Sequence, residues 1–471
     1  MKKRNDKIFI LLLVIVIFFV MSWIVEGGMY NAGSFVSTGF KRIGLFDIVA
    51  VFHTAVMNKL TDIFYILAVG GSYGVLSQTK SYRKLVDKVA SFIKGKEAIA
   101  MAIITLLMGA YTSIGSQILV LFCITPFIIS VFLRTGQDRV TALNAGFGGM
   151  FIGFLGLTFG TYGVNYLNDA TGLGIEEMLF TKIILFIIAY VLYNVFAILY
   201  MKKHKDSDGI KYDMFCPEEL DETKVKKRKR TKIWPIIVFG IVSLITIMLG
   251  FISWVASFDV KFFDEFFTSM TSIKIGNISI FGDLLGSYLP AFGNWTFLIY
   301  GSFVMLVFTI IMAIIDKMNV DLFIKNFGMG VKKISKVAFI YVFAFTIACL
   351  ANAYPWQNTI INSLFGDGTF NVFSVFIIVF ISTILVGDPD ILTAMFGTFI
   401  AASFVDNLAV SGLIWRVSSA LALVIGPTSF LLLTALTYVD LPYVRWFKYV
   451  WKFVLSFAVV VLIMLSLMLY V

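Results

Sequence analysis

The chain is poor in the residues that carry covalent and redox chemistry, with 3 cysteines and 2 histidines among 471 residues. Cys123, Cys216 and Cys349 are too few and too scattered for a disulfide framework or a Cys-rich metal site. His53 and His204 do not supply a zinc site or a histidine-driven nucleophile. No phosphate-cradling loop ending in Lys-Ser/Thr occurs, which argues against ATP as a ligand held by this chain. Charge is scarce as well, at 14% of residues. Too little of it is present to coat a soluble protein of this length.

Apolar residues are abundant instead. They make up 59% of the chain, and the mean hydropathy is +0.92. Residues 8–25, 98–133 and 453–471 carry no charge at all. At about 20 residues per bilayer crossing, such runs are membrane segments, so the chain reads as a polytopic, all-α plasma-membrane protein. The net charge of +10 resembles that of a nucleic-acid binder. Its lysines and arginines lie mainly in connecting segments, however, where they set orientation by the positive-inside rule, and no nucleic-acid partner is expected.

Charge asymmetry threads the chain. The opening MKKRNDK and the following apolar run read as a retained first helix, about 7–25, with a cytoplasmic N-terminus. Residues 43–59, which mix apolar side chains with Asp47, His53 and Lys59, read as an interfacial segment. A second helix, 61–78, returns to a basic stretch. The run 98–133 is too long for one crossing, has a polar centre and ends at the basic RTGQDR; it reads as a re-entrant hairpin. A glycine-dense segment then crosses outward as a helix broken around 160–165, and 179–201 returns. The linker 202–232 holds 11 basic and 7 acidic residues, including KVKKRKR, and is expected in the cytoplasm as a solvated connection, with an anionic-lipid patch as the alternative.

The second half repeats the plan inverted. A linking helix at 234–256 leads to an outer stretch, then to helices at 294–315 and 335–353 around an internal DKMNVDLFIKNFGMGVKK. A hairpin at 371–404 follows with VGDPDILT at its centre, then a helix, 412–437, broken at GPTS, and a last helix at 449–470. The units are therefore scaffold helices in 1–96, hairpin 1 and broken helix 1 in 97–178, a returning helix in 179–201, the linker 202–233, second scaffold helices in 234–370, hairpin 2 and broken helix 2 in 371–440, and the closing helix in 441–471. Inverted repeats with paired broken helices mark secondary transporters, whose cargo binds near the bilayer midplane.

The stretches ILAVGGSYGVL, YRKLVDKVA, KGKE, FGTYG and PTSFLLLTALTYVDLPYVRWFKYVWKF resemble the YfcC family of the ion transporter superfamily, which includes divalent anion:sodium symporters, p-aminobenzoyl-glutamate transporters and short-chain fatty acid carriers. The resemblance implies an elevator-type transporter, usually a homodimer, in which hairpins and broken helices move against a scaffold. It places the site at the hairpin tips, 111–117 and 387–393, and at their broken-helix partners, Gly160, Thr161 and Asn165 in one half and 426–429 in the other. The sodium-symporting relatives carry Ser-Asn-Thr at each tip; here the tips read Thr-Ser-Ile-Gly-Ser-Gln and Gly-Asp-Pro-Asp.

Half-helix ends explain the chemistry of such a site. Unpaired N–H groups attract carboxylates, while unpaired carbonyls helped by hydroxyls hold cations. Candidate substrate ligands are Thr112, Ser113, Gln117, Thr161, Asn165, Asp390, Thr393, Thr428 and Ser429. Candidate coupling or Na+ positions are Ser116, Gly160, Asp388, Asp390 and Gly426, with Na+ and H+ both open. The bland alternatives are hydroxyls bonded back to their own helices, and Asp388 acting as the cap of a helix whose first position is Pro389. With two acids and no lysine or arginine between Lys336 and Arg416, the second tip reads as negative and favours a cation-coupled or cationic cargo. Arg416 is expected to snorkel outward or to pair with Asp406, with contact to a substrate carboxylate as the alternative. Gly70, Gly71 and Gly74 are read as a helix-packing surface. The leading function is ion-coupled transport of a small carboxylate-bearing solute, an amino acid or a C4-dicarboxylate. A basic amino acid antiporter and a membrane lipid-handling protein are the alternatives, and an enzyme is not expected.

Overall fold

A computed structural model describes residues 6–31, 33–115, 117–204, 214–215, 232–286, 288–364 and 370–469. Most of the 202–233 linker, Cys216 and the candidate Ser116 lie outside the described residues. Among the described residues, six helices are long and apolar enough to cross a membrane, and a bent pair makes a seventh candidate. The protein is a helical, multi-pass membrane protein.

The first of these helices is α1 (Asp6–Ile24). A short antiparallel hairpin, β1 (Gly27–Asn31) and β2 (Ser34–Gly39), follows it. Helix α2 (Leu45–Asn58) has only Ala55 fully buried, and it meets α3 (Leu60–Leu76) at Lys59, where the backbone leaves the helical region. Helix α3 then turns by 93° into α4 (Lys80–Ile93), whose first turn is capped by the Thr79 side chain. The glycine face of α3 is a packing surface, as read from the sequence. A Cβ at Gly70 would sit 2.2 Å from Ile334 Cγ2, and one at Gly74 would sit 2.6 Å from the Gly330 Cα. Close backbone approach of this kind is the usual role of small residues between membrane helices.

The charge-free run 98–133 is divided as its polar centre implies, into α5 (Glu97–Ile114) and α6 (Thr125–Arg134), joined through a short 3-10 turn at Val120–Cys123. Both arms pack on α7 (Arg139–Leu155). Nine irregular residues separate α7 from α8 (Asn165–Thr171), so the first broken helix is observed, and α9 (Leu179–Lys203) returns. After α10 (Trp234–Gly250) come the short helices α11 (Trp254–Phe258), α12 (Phe262–Thr271) and α13 (Ile280–Leu285), the last preceded by the small pair β3 (Lys274–Ile275) and β4 (Ile278–Ser279).

One expectation needs correction in this half. The stretch DKMNVDLFIKNFGMGVKK is not a connecting loop beyond Asn319. Helix α14 (Ile299–Ile315) is followed by α15 (Val320–Ala353), a single helix of 34 residues that runs through it. Asn319 caps its start by accepting the Leu322 N–H at 2.8 Å, and Phe327 packs over Gly71 while the neighbouring lysines stay exposed. After α15 comes α16 (Trp356–Leu364), tied to β1 by Asn358 Nδ2 donating to the Gly28 carbonyl.

Hairpin 2 consists of α17 (Val372–Val386) and α18 (Pro389–Ser403), and the second broken helix of α19 (Leu408–Ile425) and α20 (Phe430–Tyr438). The chain closes with α21 (Tyr443–Met468), which starts six residues before the sequence reading because Pro442 caps it. Helix α17 packs on α19, α18 on α8, and α7 on α19, so the two halves share one buried core.

Candidate functional site

Each hairpin tip is fastened to the break of its own half. At the first, the Ser113 carbonyl at the end of α5 accepts the N–H groups of Thr158 and Gly160, each at 2.9 Å, and the Thr158 hydroxyl at 3.0 Å. At the second, the Thr428 hydroxyl donates to the Ile384 carbonyl near the end of α17 at 2.5 Å. The partners are 45 residues apart in the first half and 44 in the second. One construction, a helix-end carbonyl met by a threonine from the broken helix, is thus used twice.

The acidic tip crosses to the other half. Asp388 caps α18 through the Ile391 N–H at 3.1 Å, and the Tyr162 hydroxyl donates to its second oxygen at 3.3 Å. Asp390 accepts the Gly163 N–H at 2.6 Å. Gly163 has φ +77°, a conformation that favours glycine, and an added Cβ would lie 2.8 Å from Pro389 Cβ. The two carboxylates therefore sit against the break of helix 1.

Sequence reading missed the group that faces them. A cavity of about 400 Å³ is lined by Asp388, Asp390, Lys59, Asn58, Asn352 and Tyr166 among others. Lys59 Nζ lies 3.8 Å from Asp62 Oδ2 and 4.5 Å from the Phe345 ring centroid, and Tyr341 donates its hydroxyl to Asp62 at 2.5 Å. The site is therefore not purely negative. The cation comes from the α2–α3 junction, more than 300 positions away in the chain, which a search for positive charge near the second tip does not reach. One signal was present: Lys59 and Asp62 stand three residues apart directly ahead of an apolar run, an opposite-charge pair at the start of a membrane helix.

The remaining candidates divide. Thr112 bonds back to the Met108 carbonyl and Thr393 to the Asp390 carbonyl, the local pattern open to any helix hydroxyl. Ser113 shares its hydroxyl with Ala110 and Thr158. Gly426 donates to Ala422 at 2.6 Å, and Ser429 caps α20 by accepting the Leu432 N–H. Thr161 accepts the Val164 N–H through its carbonyl. Gln117 points to the Thr296 carbonyl, and Asn165 is exposed at the start of α8; neither lines the Asp388–Asp390 cavity. Arg416 neither snorkels nor meets Asp406. It is buried and donates to Asn168 Oδ1 at 2.6 Å, because α19 packs inside the core instead of facing outward. Its other terminal nitrogen, Nη1, is buried with no hydrogen-bond partner among the described residues.

Among the described residues, no group of three or more His, Cys, Asp or Glu side chains is placed to hold a metal. The arrangement suits binding and charge compensation: two carboxylates on a hairpin of one half, pinned to a break in the other, face an ammonium on a different helix pair.

Comparisons with known proteins give the family. No curated protein matches the sequence. Among solved structures, the chain is similar to the Alcanivorax borkumensis YdaH transporter, whose crystal structure is described as revealing an unusual topology. Identity is 11%, coverage is 98% of both chains and the TM-score is 0.40. The DcuC family profile, described as C4-dicarboxylate anaerobic carrier, matches residues 5–470. This chain, first read from its motifs as resembling the YfcC family, belongs to the DcuC family of carriers.

Proposed function

We propose that the protein is a secondary transporter for C4-dicarboxylates, coupled to Na+ or H+, with its cargo in the cavity between Lys59 and the Asp388–Asp390 tip. The observation that carries this reading is the position of Lys59 on the same cavity as the two acids. An ammonium supplies the charge-assisted contact that a cargo carboxylate needs. Two carboxylates and one ammonium leave the cavity net negative, so a dianion enters only with compensating cations or protons. That requirement is what supports ion coupling in this reading. Half-helix ends at the breaks carry backbone dipoles of the kind that hold charged cargo and ions.

Alternating access in this reading is movement of the hairpins and broken helices against α3, α14 and α15, in a dimer within the plasma membrane. The basic linker and the N-terminus face the cytoplasm, as the positive-inside rule orients them. Uptake of radiolabelled succinate into proteoliposomes, competed by other C4-dicarboxylates, neutral amino acids and arginine, tests the proposal. Competition by C4-dicarboxylates alone, with dependence on a Na+ or proton gradient, is the expected outcome. Transport of arginine without succinate would instead make the two acids ligands of a cationic cargo.

A further inference from the structure

A second cavity, which shares no lining residue with the first, lies where α9 ends and α21 begins. It measures about 830 Å³ and is lined by Lys203, His204, Arg445, Lys448 and Lys452, with no acidic side chain on its wall. The α21 start contacts Asp6 at the start of α1, through the Tyr443 N–H at 2.7 Å, and His204, the last described residue of the α9 segment, lines the cavity. All of these features share one end of the helical bundle.

The wall of this cavity is built. Asp138, with a fully buried side chain, holds Arg445 at 3.0 Å and accepts the Tyr200 hydroxyl at 2.9 Å. His204 stacks on Tyr200 with ring centroids 4.1 Å apart, and Tyr449 meets Tyr200 edge-on at 4.9 Å. Asp138 compensates Arg445 from behind, and among the described residues Lys203, Lys448 and Lys452 have no acidic partner. Towards the middle of α9 the lining becomes apolar, with Phe196 and Leu199, and Leu199 is 60% exposed. Phe447 and Trp451 continue an exposed apolar face along α21.

Cations at one end, an aromatic shelf beneath them and an exposed apolar flank match one chemistry. We propose that this cavity binds the phosphate headgroup of an anionic membrane lipid, whose acyl chains run along the Leu199, Phe447 and Trp451 faces of α9 and α21. Basic pockets between membrane helices take such headgroups, and lysine stems snorkel to reach them. Zwitterionic headgroups carry a second charge that three uncompensated lysines oppose.

Native mass spectrometry of the purified full chain, titrated with phosphatidylglycerol, phosphatidylcholine or inorganic phosphate, tests the assignment. Phosphatidylglycerol should bind at least about tenfold more tightly than phosphatidylcholine. In K203Q/K448Q/K452Q that preference should disappear, because each lysine near an anionic surface contributes about fivefold. The lysines are exposed, so the variant should keep the wild-type melting temperature in detergent, and K448Q/K452Q should give an intermediate preference. Equal binding of both lipids, an unchanged preference in the triple variant, or displacement of phosphatidylglycerol by millimolar inorganic phosphate would overturn the lipid assignment, the last by making this a soluble-anion site.

Discussion

Asp390 on hairpin 2 accepts the backbone N–H of Gly163 at 2.6 Å across a separation of 227 residues, joining the acidic tip of one half to the broken helix of the other. A backbone donor holds a carboxylate without neutralising it, so this side chain remains available for a cation or proton. The contact also requires Gly163 to lie with φ +77° beside Pro389.

Gly163→Ala should therefore lower both stability and uptake. The alanine carries a strained backbone and a Cβ 2.8 Å from Pro389 Cβ, at a cost of about 1–3 kcal/mol. A thermal unfolding series in detergent reads the first effect and succinate uptake the second; wild-type values in both would remove the contact from the account.

Lys59→Met should weaken dicarboxylate binding. Losing one charge-assisted contact of about 1.5–3 kcal/mol corresponds to a KM increase on the order of 10- to 100-fold. Lys59→Arg should recover part of that loss. Initial uptake rates over a range of succinate concentrations decide it, and an unchanged KM in Lys59→Met would place the cargo elsewhere.

Asn168→Ala should cost stability without a matching rise in KM. Arg416 would lose its acceptor at 2.6 Å, and a buried hydrogen bond to a charged group contributes about 1.5–3 kcal/mol. A fall in melting temperature alongside near-normal KM in the folded fraction is expected. A large KM increase at unchanged stability would instead make Arg416 and Asn168 cargo ligands.

Gly330→Leu should separate α3 from α15. A Cβ at this position already lies 2.2 Å from the Gly70 carbonyl oxygen, and overpacking of a close helix contact costs about 1–3 kcal/mol or more. Reduced yield and melting temperature are expected. A fully stable variant would show that the two helices have room to move apart.

The sequence made the hairpins and broken helices legible because their signals are local. A charge-free run too long for one crossing with a polar centre at 115–117, Asp388 ahead of Pro389, and GPTS within an apolar segment each specify a break where it occurs. Long-range pairing was not legible. Nothing near Asp390 points to Gly163, and nothing near Lys59 points to the second tip. Arg416 was misplaced because its burial depends on what packs around α19, not on its own helix. The first half of α15 was read as an internal connection because four lysines punctuate it, while the apolar side chains packed against α3 are spaced among them.

The most direct test of the central claim is gradient-driven accumulation of succinate in proteoliposomes by wild type and Asp390→Asn, with a Na+ gradient and a proton gradient imposed separately. Wild type should accumulate cargo against its gradient with one of them, whereas Asp390→Asn should still exchange succinate at equilibrium but no longer concentrate it. Wild-type accumulation by Asp390→Asn under the same gradient would contradict the coupling role of the acidic tip.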